Sequence, residues 1–438
     1  MATVLEDDVV WDKAECLSRD ELAALQARRL KQTVQRVSHV PFYQKKLAEL
    51  GISEEDIASA DDVRQLPLTV KDDLRGAYPL DLLAVDRSEI ARIHGSSGTT
   101  GKPTFAVYTK KDLETWSHLC ARFLTAGGLR AGHFAHIAFG YGLFTGGFGL
   151  HYGVERVGAG VIPAASGNTR RQITLLRDLD TETIICTPSY ALNIAEVAIE
   201  EGLDPAKDLP MKFGHFGGEP WTEDMRVRIE NDLGITAFNN YGLSEVMGPG
   251  VAGECCCRSG MHLQEDHFLV ECVDPQTLEP VTPGSVGELV ITTLTKEAMP
   301  VLRYRTRDLC VVHDEVCDCG RTTRRMGRVI GRSDDMLIIR GVNVFPSQIE
   351  EALLRVEGTT PHYEIEVDRP GNLDRVKVSV EVSGEMFSDR MTDMNVLKRA
   401  IDKEIRTITG IGAQIDLVGP QSLSRFEGKA KRVVDKRV

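Results

Sequence analysis

Two kinds of segment alternate along most of this chain, and that alternation limits the fold more than any other feature. Short apolar runs bounded by Gly and Pro (HIAFG, AGVIPAA, TIICTP, ITAFNNYG) are separated by longer amphipathic stretches such as RRQITLLRDL and WTEDMRVRIENDL. Strand-length apolar runs need cover, and helices with one apolar face supply it, so the pattern implies mainly parallel sheets covered by helices. Upstream, SRDELAALQARRLKQTVQRV opens on a capping box, Ser18 with Glu21. Leu22, Leu25, Leu30, Val34 and Val37 follow at near-helical spacing, predicting a helical segment over about 1–75.

After Arg332 the pattern becomes smaller: DDMLIIRG, a helix from PSQIEEALLRV, strands HYEIEV and RVKVSVEV around RPGNLD, a helix from MNVLKRAIDKEI, then a strand AQIDLV. At 438 residues the chain is too long for one ordinary core. The expected fold class is therefore α/β: a large N-terminal domain over 1–333 and a small C-terminal α+β domain over 334–438, joined at a hinge near Ser333 and Asp334.

A formal charge of −13 argues against an extended basic surface for nucleic acid while leaving room for a local phosphate pocket. The acidic start MATVLEDDVVWDKAE has no apolar core behind positive charge, and no apolar run approaches a membrane span. A cytoplasmic protein without membrane partners is expected. Its ten cysteines would then be reduced thiols or metal ligands.

The run Gly95 to Lys102, GSSGTTGK, brings together Ser96, Ser97, Gly98, Thr99, Thr100 and Gly101 before the lysine. Glycines let backbone N–H groups approach phosphate oxygens, hydroxyls add donors, and Lys102 adds a point charge. A triphosphate suits such a loop. It is not a Walker loop, because five residues separate Gly95 from Gly101 rather than four, and Pro103 stands where a magnesium-binding hydroxyl is needed. The bland alternative is a flexible Ser/Gly/Thr turn.

SSGTTGKP resembles the phosphate-binding signature of the acyl-adenylate-forming superfamily, and its companions follow in order. FGGEPW (Phe216 to Trp221) and NNYGLSEVMGPG (Asn239 to Gly250) resemble the adenine-binding segments, and YRTRD (Tyr304 to Asp308) the ribose-binding one. GRSDD (Gly331 to Asp335) is similar to the hinge, and FEGKAKR (Phe426 to Arg432) to the C-terminal lysine motif. YGLFTGG, YGLSEVMGPGVA, LTKEAMPVLRYRTRDL and SDDMLIIRGVNVFPSQ resemble the phenylacetate-CoA ligases specifically. Arg307, where many superfamily members have glycine, and Glu427, where a hydroxyl commonly precedes GK, are similar to that branch as well.

The resemblance implies an ATP-dependent ligase that joins an aryl acid to coenzyme A through an acyl-adenylate. Lys102 and the loop would hold phosphates, and Glu245 would bind Mg²⁺. Tyr241 would stack on adenine within a site that also takes Gly218, Glu219, Pro220, Asn239, Asn240, Gly242 and Ser244. Asp308 would accept from the ribose hydroxyls. Lys429 would bridge carboxylate and α-phosphate, Arg332 contact ribose or phosphate, Asp334 act as hinge, and Arg340 and Gly341 face the CoA path. A homodimer is implied, and Lys71 looks like a residue reaching toward phosphates in the neighbouring subunit; the plainer reading is a solvated helix-start lysine. Rival readings are an adenylyl transferase of the same fold and a catalytically silent nucleotide-binding protein.

Two further clusters carry chemistry. Phe139, Tyr141 and Phe144, in FGYGLFTGGFGLHYG, offer ring faces for an aryl pocket, or else pack a buried turn. Cys255, His262, Cys317 and Cys319 make a three-thiolate, one-imidazole set suited to structural Zn²⁺, with Cys256 or Cys257 and His267 or His313 as alternatives. Ordinary buried thiols are the bland reading.

Overall fold

The structure, a computed structural model, describes residues 10–95, 104–340, 342–370, 373–382, 391–423 and 432–437. The Glu21 N–H donates to the Ser18 hydroxyl at 3.3 Å and the Ser18 N–H to the Glu21 carboxylate at 2.9 Å, closing the capping box that starts the helix Arg19–Val37. Leu22, Leu30, Val34 and Val37 are buried. With the helices Pro41–Leu50 and Lys71–Gly76, this segment lies on the large unit: Gln26 donates to the Glu265 carbonyl at 2.8 Å, and the Thr69 hydroxyl to the Leu302 carbonyl at 2.7 Å.

The large unit is built on a 12-stranded sheet. One wing is parallel and runs Gly160–Ile162, Phe134–Ile137, Thr183–Cys186, Phe213–Phe216, Thr236–Leu243. The helices Gly146–Val157, Thr169–Asp178, Pro188–Glu200 and Glu223–Leu233 connect these strands. Alternate side chains of one strand enter different cores. Ile185 packs in a cluster with Ile137, Leu124 and Val154, whereas Ile184 and Cys186 join one with Ile194 and Ile229. That two-sided burial is why TIIC reads as an unbroken apolar run.

Mainly parallel pairing holds only for this wing. From Thr236–Leu243 the sheet continues antiparallel through Gly248–Glu254, Met261–Leu263, Arg325–Met326, Tyr304–His313, Val286–Thr293 and Phe268–Val273. The reason is chain length: only four residues separate Leu243 from Gly248, too few for the crossover a parallel pair requires.

The C-terminal sheet has four strands in the order Gln414–Val418, Arg375–Val382, Thr359–Asp368, Val433–Asp435. Against it pack Pro346–Leu354 and Met391–Thr409, with Ile349, Leu353, Ile365, Val378, Ile401 and Ile405 in a core of their own. A short ribbon, Leu337–Ile339 with Val342–Val344, precedes them.

Candidate active site

Thr236–Leu243 pairs parallel to Phe213–Phe216 on one side and antiparallel to Gly248–Glu254 on the other, so the sheet changes direction there. Side chains at the carboxyl ends of strands converge at such a point, which is where open α/β sheets bind ligands. Gly218 turns the chain with φ +84°, and Asn240 ties the two strand ends by donating to the Phe216 carbonyl at 2.8 Å. At Gly242 a Cβ would sit 2.0 Å from the Gly248 carbonyl oxygen, so no side chain fits. The Glu219 carboxylate accepts from the Ser189 N–H at 2.8 Å, Pro220 beside it is exposed, and the buried Asn239 donates its backbone N–H to Glu254 at 2.7 Å.

Tyr241, Asp308 and Arg332, far apart in sequence, meet at this point. The Tyr241 hydroxyl donates to one Asp308 oxygen at 2.6 Å, and Arg332 reaches the other at 3.3 Å. Register explains the second contact, since Asp308 lies opposite Arg332 in the antiparallel pairing of Tyr304–His313 with Gly331–Arg332. Arg332 also grips Asp334 at 2.9 and 3.0 Å. Burial opposes its charge, yet the Asp334 hydrogen bonds and the Asp308 and Asp334 charges hold its pKa above the ordinary value. Burial, then the Asp308 charge, push the Tyr241 hydroxyl up, so it stays a donor. The Asp308 carboxylate is thus oriented by two side chains.

Glu245 is 9 % exposed, on a turn where Ser244 shares a 2.9 Å hydrogen bond with Thr145. Its one ion pair among the described residues is with Lys71, 3.5 Å away in the same chain. Within this chain Lys71 therefore faces the Glu245 carboxylate. The Thr69 N–H donates to the Arg303 carbonyl at 3.1 Å and its hydroxyl to Leu302, which seats the start of Lys71–Gly76 against its own chain's site. A buried carboxylate with a single cationic partner among the described residues fits a hard divalent cation that shares its remaining ligands with phosphate oxygens and water.

Ser96, Ser97, Gly98, Thr99, Thr100, Gly101, Lys102, Gly341 and Lys429 lie outside the described residues. The strands Arg92–Gly95 and Phe105–Tyr108, which flank the first of these segments, pair antiparallel, and the Gly95 N–H donates to the Leu143 carbonyl at 2.8 Å. Downstream of Lys429, Arg432 is bonded to Glu350 and lies 4.7 Å from the Tyr363 ring centre. Arg340 donates from Nε to the Asp374 carbonyl at 2.9 Å, so its side chain is held within the C-terminal unit.

Of the three aromatic residues, Phe139 and Phe144 come together, their ring centres 6.4 Å apart, and Phe139 lies beside Gly218. Tyr141 instead stands edge-on to Phe148 at 5.2 Å and bonds His151 at 3.2 Å. Lys296, buried beneath the Glu245 turn, was not anticipated. Its only signal was a lone lysine beside the apolar run AMPVL.

The ligand atoms of Cys255, His262, Cys317 and Cys319 all lie within 4.8 Å of one another. Cys255 and Cys317 sulfurs are 3.7 Å apart, and Cys319 Sγ is 3.3 Å from His262 Nε2. Tetrahedral Zn–S bonds of about 2.3 Å put ligand atoms roughly 3.8 Å apart, so these residues fit the ion. His262 Nδ1 faces the Thr323 hydroxyl at 3.0 Å, leaving Nε2 for a metal. Hydrogen bonds with Cys255 and His262 hold the Cys319 thiol far below its usual pKa. The alternatives stand outside this four-residue group: His267 pairs with Asp266, and His313 faces Glu315.

Comparison with known proteins identifies the architecture. The AMP-binding enzyme family matches residues 10–295 and the AMP-binding enzyme C-terminal domain matches 341–437. The chain is 47% identical to the phenylacetate-coenzyme A ligase of Thermus thermophilus, covering 97% of this chain and 98% of that protein. It is also 47% identical to the phenylacetate-coenzyme A ligase of Escherichia coli K12, with 97% of each covered. Among solved structures, a 2-hydroxyisobutyryl-CoA ligase in the postadenylation state, in complex with R3-HIB-AMP, is 29% identical and superposes with TM-score 0.92 over 97% of this chain and 92% of that one. The same ligase in complex with 2-HIB-AMP and CoA in the thioesterification state, at 30% identity and the same coverage, gives 0.72. No helix among the described residues is long and apolar enough to cross a membrane. The chain belongs to the phenylacetate-CoA ligase family of AMP-binding enzymes.

Proposed function

We propose that this enzyme is an AMP-forming acid–thiol ligase that converts an aryl acid, phenylacetate or a close relative, ATP and coenzyme A into the acyl-CoA, AMP and pyrophosphate. The observation that carries this reading is a likeness running through both the large and the C-terminal unit, so the parts for both half-reactions are present. In the first, a carboxylate oxygen attacks the α-phosphorus and the bond to pyrophosphate breaks. Asp308, held by Tyr241 and Arg332, accepts from the ribose hydroxyls. Lys429 steadies carboxylate and α-phosphate while Lys102 and its loop hold the outer phosphates. Glu245 would hold Mg²⁺, which would supply charge neutralisation at the phosphates. In the second half-reaction the CoA sulfur attacks the acyl carbonyl carbon and AMP leaves. The C-terminal unit turns about Asp334, withdrawing Lys429 and bringing Arg340 and Gly341 to the CoA path. The higher overlap with a postadenylation structure suits a chain arranged between these steps.

Phe139 and Phe144 wall the acid pocket with flat apolar faces, which favour a rigid ring over a chain that must be ordered on binding. Zinc at Cys255, His262, Cys317 and Cys319 is structural, because four protein ligands leave no position for substrate. We place the enzyme in the cytoplasm as a homodimer; light scattering showing only monomer at micromolar concentration would remove the second part. The deciding assay offers aryl acids and octanoate with ATP, Mg²⁺ and CoA, read by mass spectrometry. Aryl-CoA plus AMP supports the reading. Persistent AMP adducts despite CoA support an adenylyl transferase, and octanoate turned over as efficiently as every aryl acid overturns the aromatic pocket.

A further inference from the structure

Lys296 is a lysine in the interior, 2 % exposed. A buried ammonium is costly, and an apolar chain of similar length would fill the space without that cost. Its Nζ donates to the Val246 carbonyl at 3.0 Å and sits 4.7 Å from the centre of the Tyr108 ring. The hydroxyl of the same tyrosine, itself fully buried, donates to the next carbonyl, Met247, at 2.8 Å. Two adjacent carbonyls of the turn carrying Ser244 and Glu245 are therefore gripped from beneath by two side chains in mutual contact.

Both grips are rooted in rigid structure. Tyr108 ends the strand Phe105–Tyr108, and its ring stacks on Trp116 with centres 4.9 Å apart. The segment after Lys296 is pinned to the start of helix Lys110–Ala126. There, buried Asp112 accepts from the Glu297 N–H at 2.7 Å, the Ala298 N–H at 3.0 Å and the Thr109 N–H at 2.9 Å. Burial lowers the Lys296 pKa to about 8, while the Asp112 and Glu245 charges oppose that fall.

We propose that Lys296 and Tyr108 are positioning residues that clamp the Val246 and Met247 carbonyls and thereby fix the Glu245 carboxylate for the metal–ATP complex. The proposal rests on the reading of Glu245 as the metal-binding carboxylate. Neither residue touches substrate. They register the Glu245 turn against the strand Phe105–Tyr108 and the capped end of the helix, so a shift in the clamp moves the carboxylate without emptying the nucleotide site.

The test is Mn²⁺ binding in the presence of ATP, followed by the electron paramagnetic resonance of free Mn²⁺, for wild type, Tyr108→Phe, Lys296→Met and Glu245→Gln, with melting temperatures alongside. Tyr108→Phe keeps ring and charge and removes one carbonyl anchor; it should weaken Mn²⁺ binding about 3-fold, and Lys296→Met about 10-fold, with metal-free ATP binding within about 2-fold of wild type. The sign at Lys296 is diagnostic. Removing a mere buried cation tightens divalent-ion binding, whereas removing a clamp weakens it. Unchanged affinity in Tyr108→Phe, or tighter binding in folded Lys296→Met, overturns the proposal while Glu245→Gln still weakens binding. If Glu245→Gln changes nothing, the metal assignment itself falls. Should Lys296→Met fail to fold, Tyr108→Phe decides alone.

Discussion

The switch-point cluster and the cysteine cluster lie on the same sheet but are electrostatically opposite. At the switch point the charges are already paired: Asp308 is held by Tyr241 and Arg332, and Arg332 by Asp334. At the other cluster three sulfurs and an imidazole face one another, with Cys255 and Cys317 only 3.7 Å apart. Self-satisfied polar groups hold their geometry when empty, which suits a site whose ligands must come and go. Electron-rich groups crowded together hold their geometry only around a cation, which suits a permanent ion. The first cluster should therefore register in turnover and the second in stability.

The largest effect in turnover tests the C-terminal lysine. Lys429→Ala should lower acyl-adenylate formation about 10³-fold or more while sparing thioester formation from supplied acyl-AMP, because in the proposed mechanism its charge serves only the first transition state. Equal losses in both half-reactions would break the two-arrangement reading. Next is Asp308→Ala, which removes the proposed ribose acceptor and takes one partner from the half-buried Arg332 guanidinium and from the buried Tyr241 hydroxyl. A fall in kcat/KM for ATP of about 100-fold is expected, with a change in kcat/KM below about 3-fold counting against it.

Phe144→Ala should raise the KM for the acid about 10-fold at nearly unchanged melting temperature, since its ring is packed against Phe139 at the proposed pocket. A lowered melting temperature with unchanged KM would assign the ring to packing instead. The smallest effect on turnover falls on the cysteine cluster. Purified protein should hold about one zinc per chain, and Cys317→Ser should lower the melting temperature by several degrees while leaving specific activity of folded enzyme within about 2-fold. Elemental analysis finding no zinc in unchelated protein would dissolve the contrast.

What could be read from the sequence was whatever depends on near neighbours. Ser18 and Glu21 form a capping box because both partners lie within one turn. The elements after Arg332 emerge as expected because hairpin, helix and return strand each carry their own period. Family motifs marked Tyr241, Asp308, Arg332 and Lys429 one by one, without their contacts. That Tyr241 bonds Asp308 across 67 positions, that Lys71 faces Glu245 of its own chain, and that Lys296 is buried beneath the turn were decided only by tertiary structure. The physical reason is that sheet pairing has no local code. Register between Asp308 and Arg332, and the change to antiparallel order after Thr236–Leu243, depend on which surfaces bury one another once the chain has collapsed.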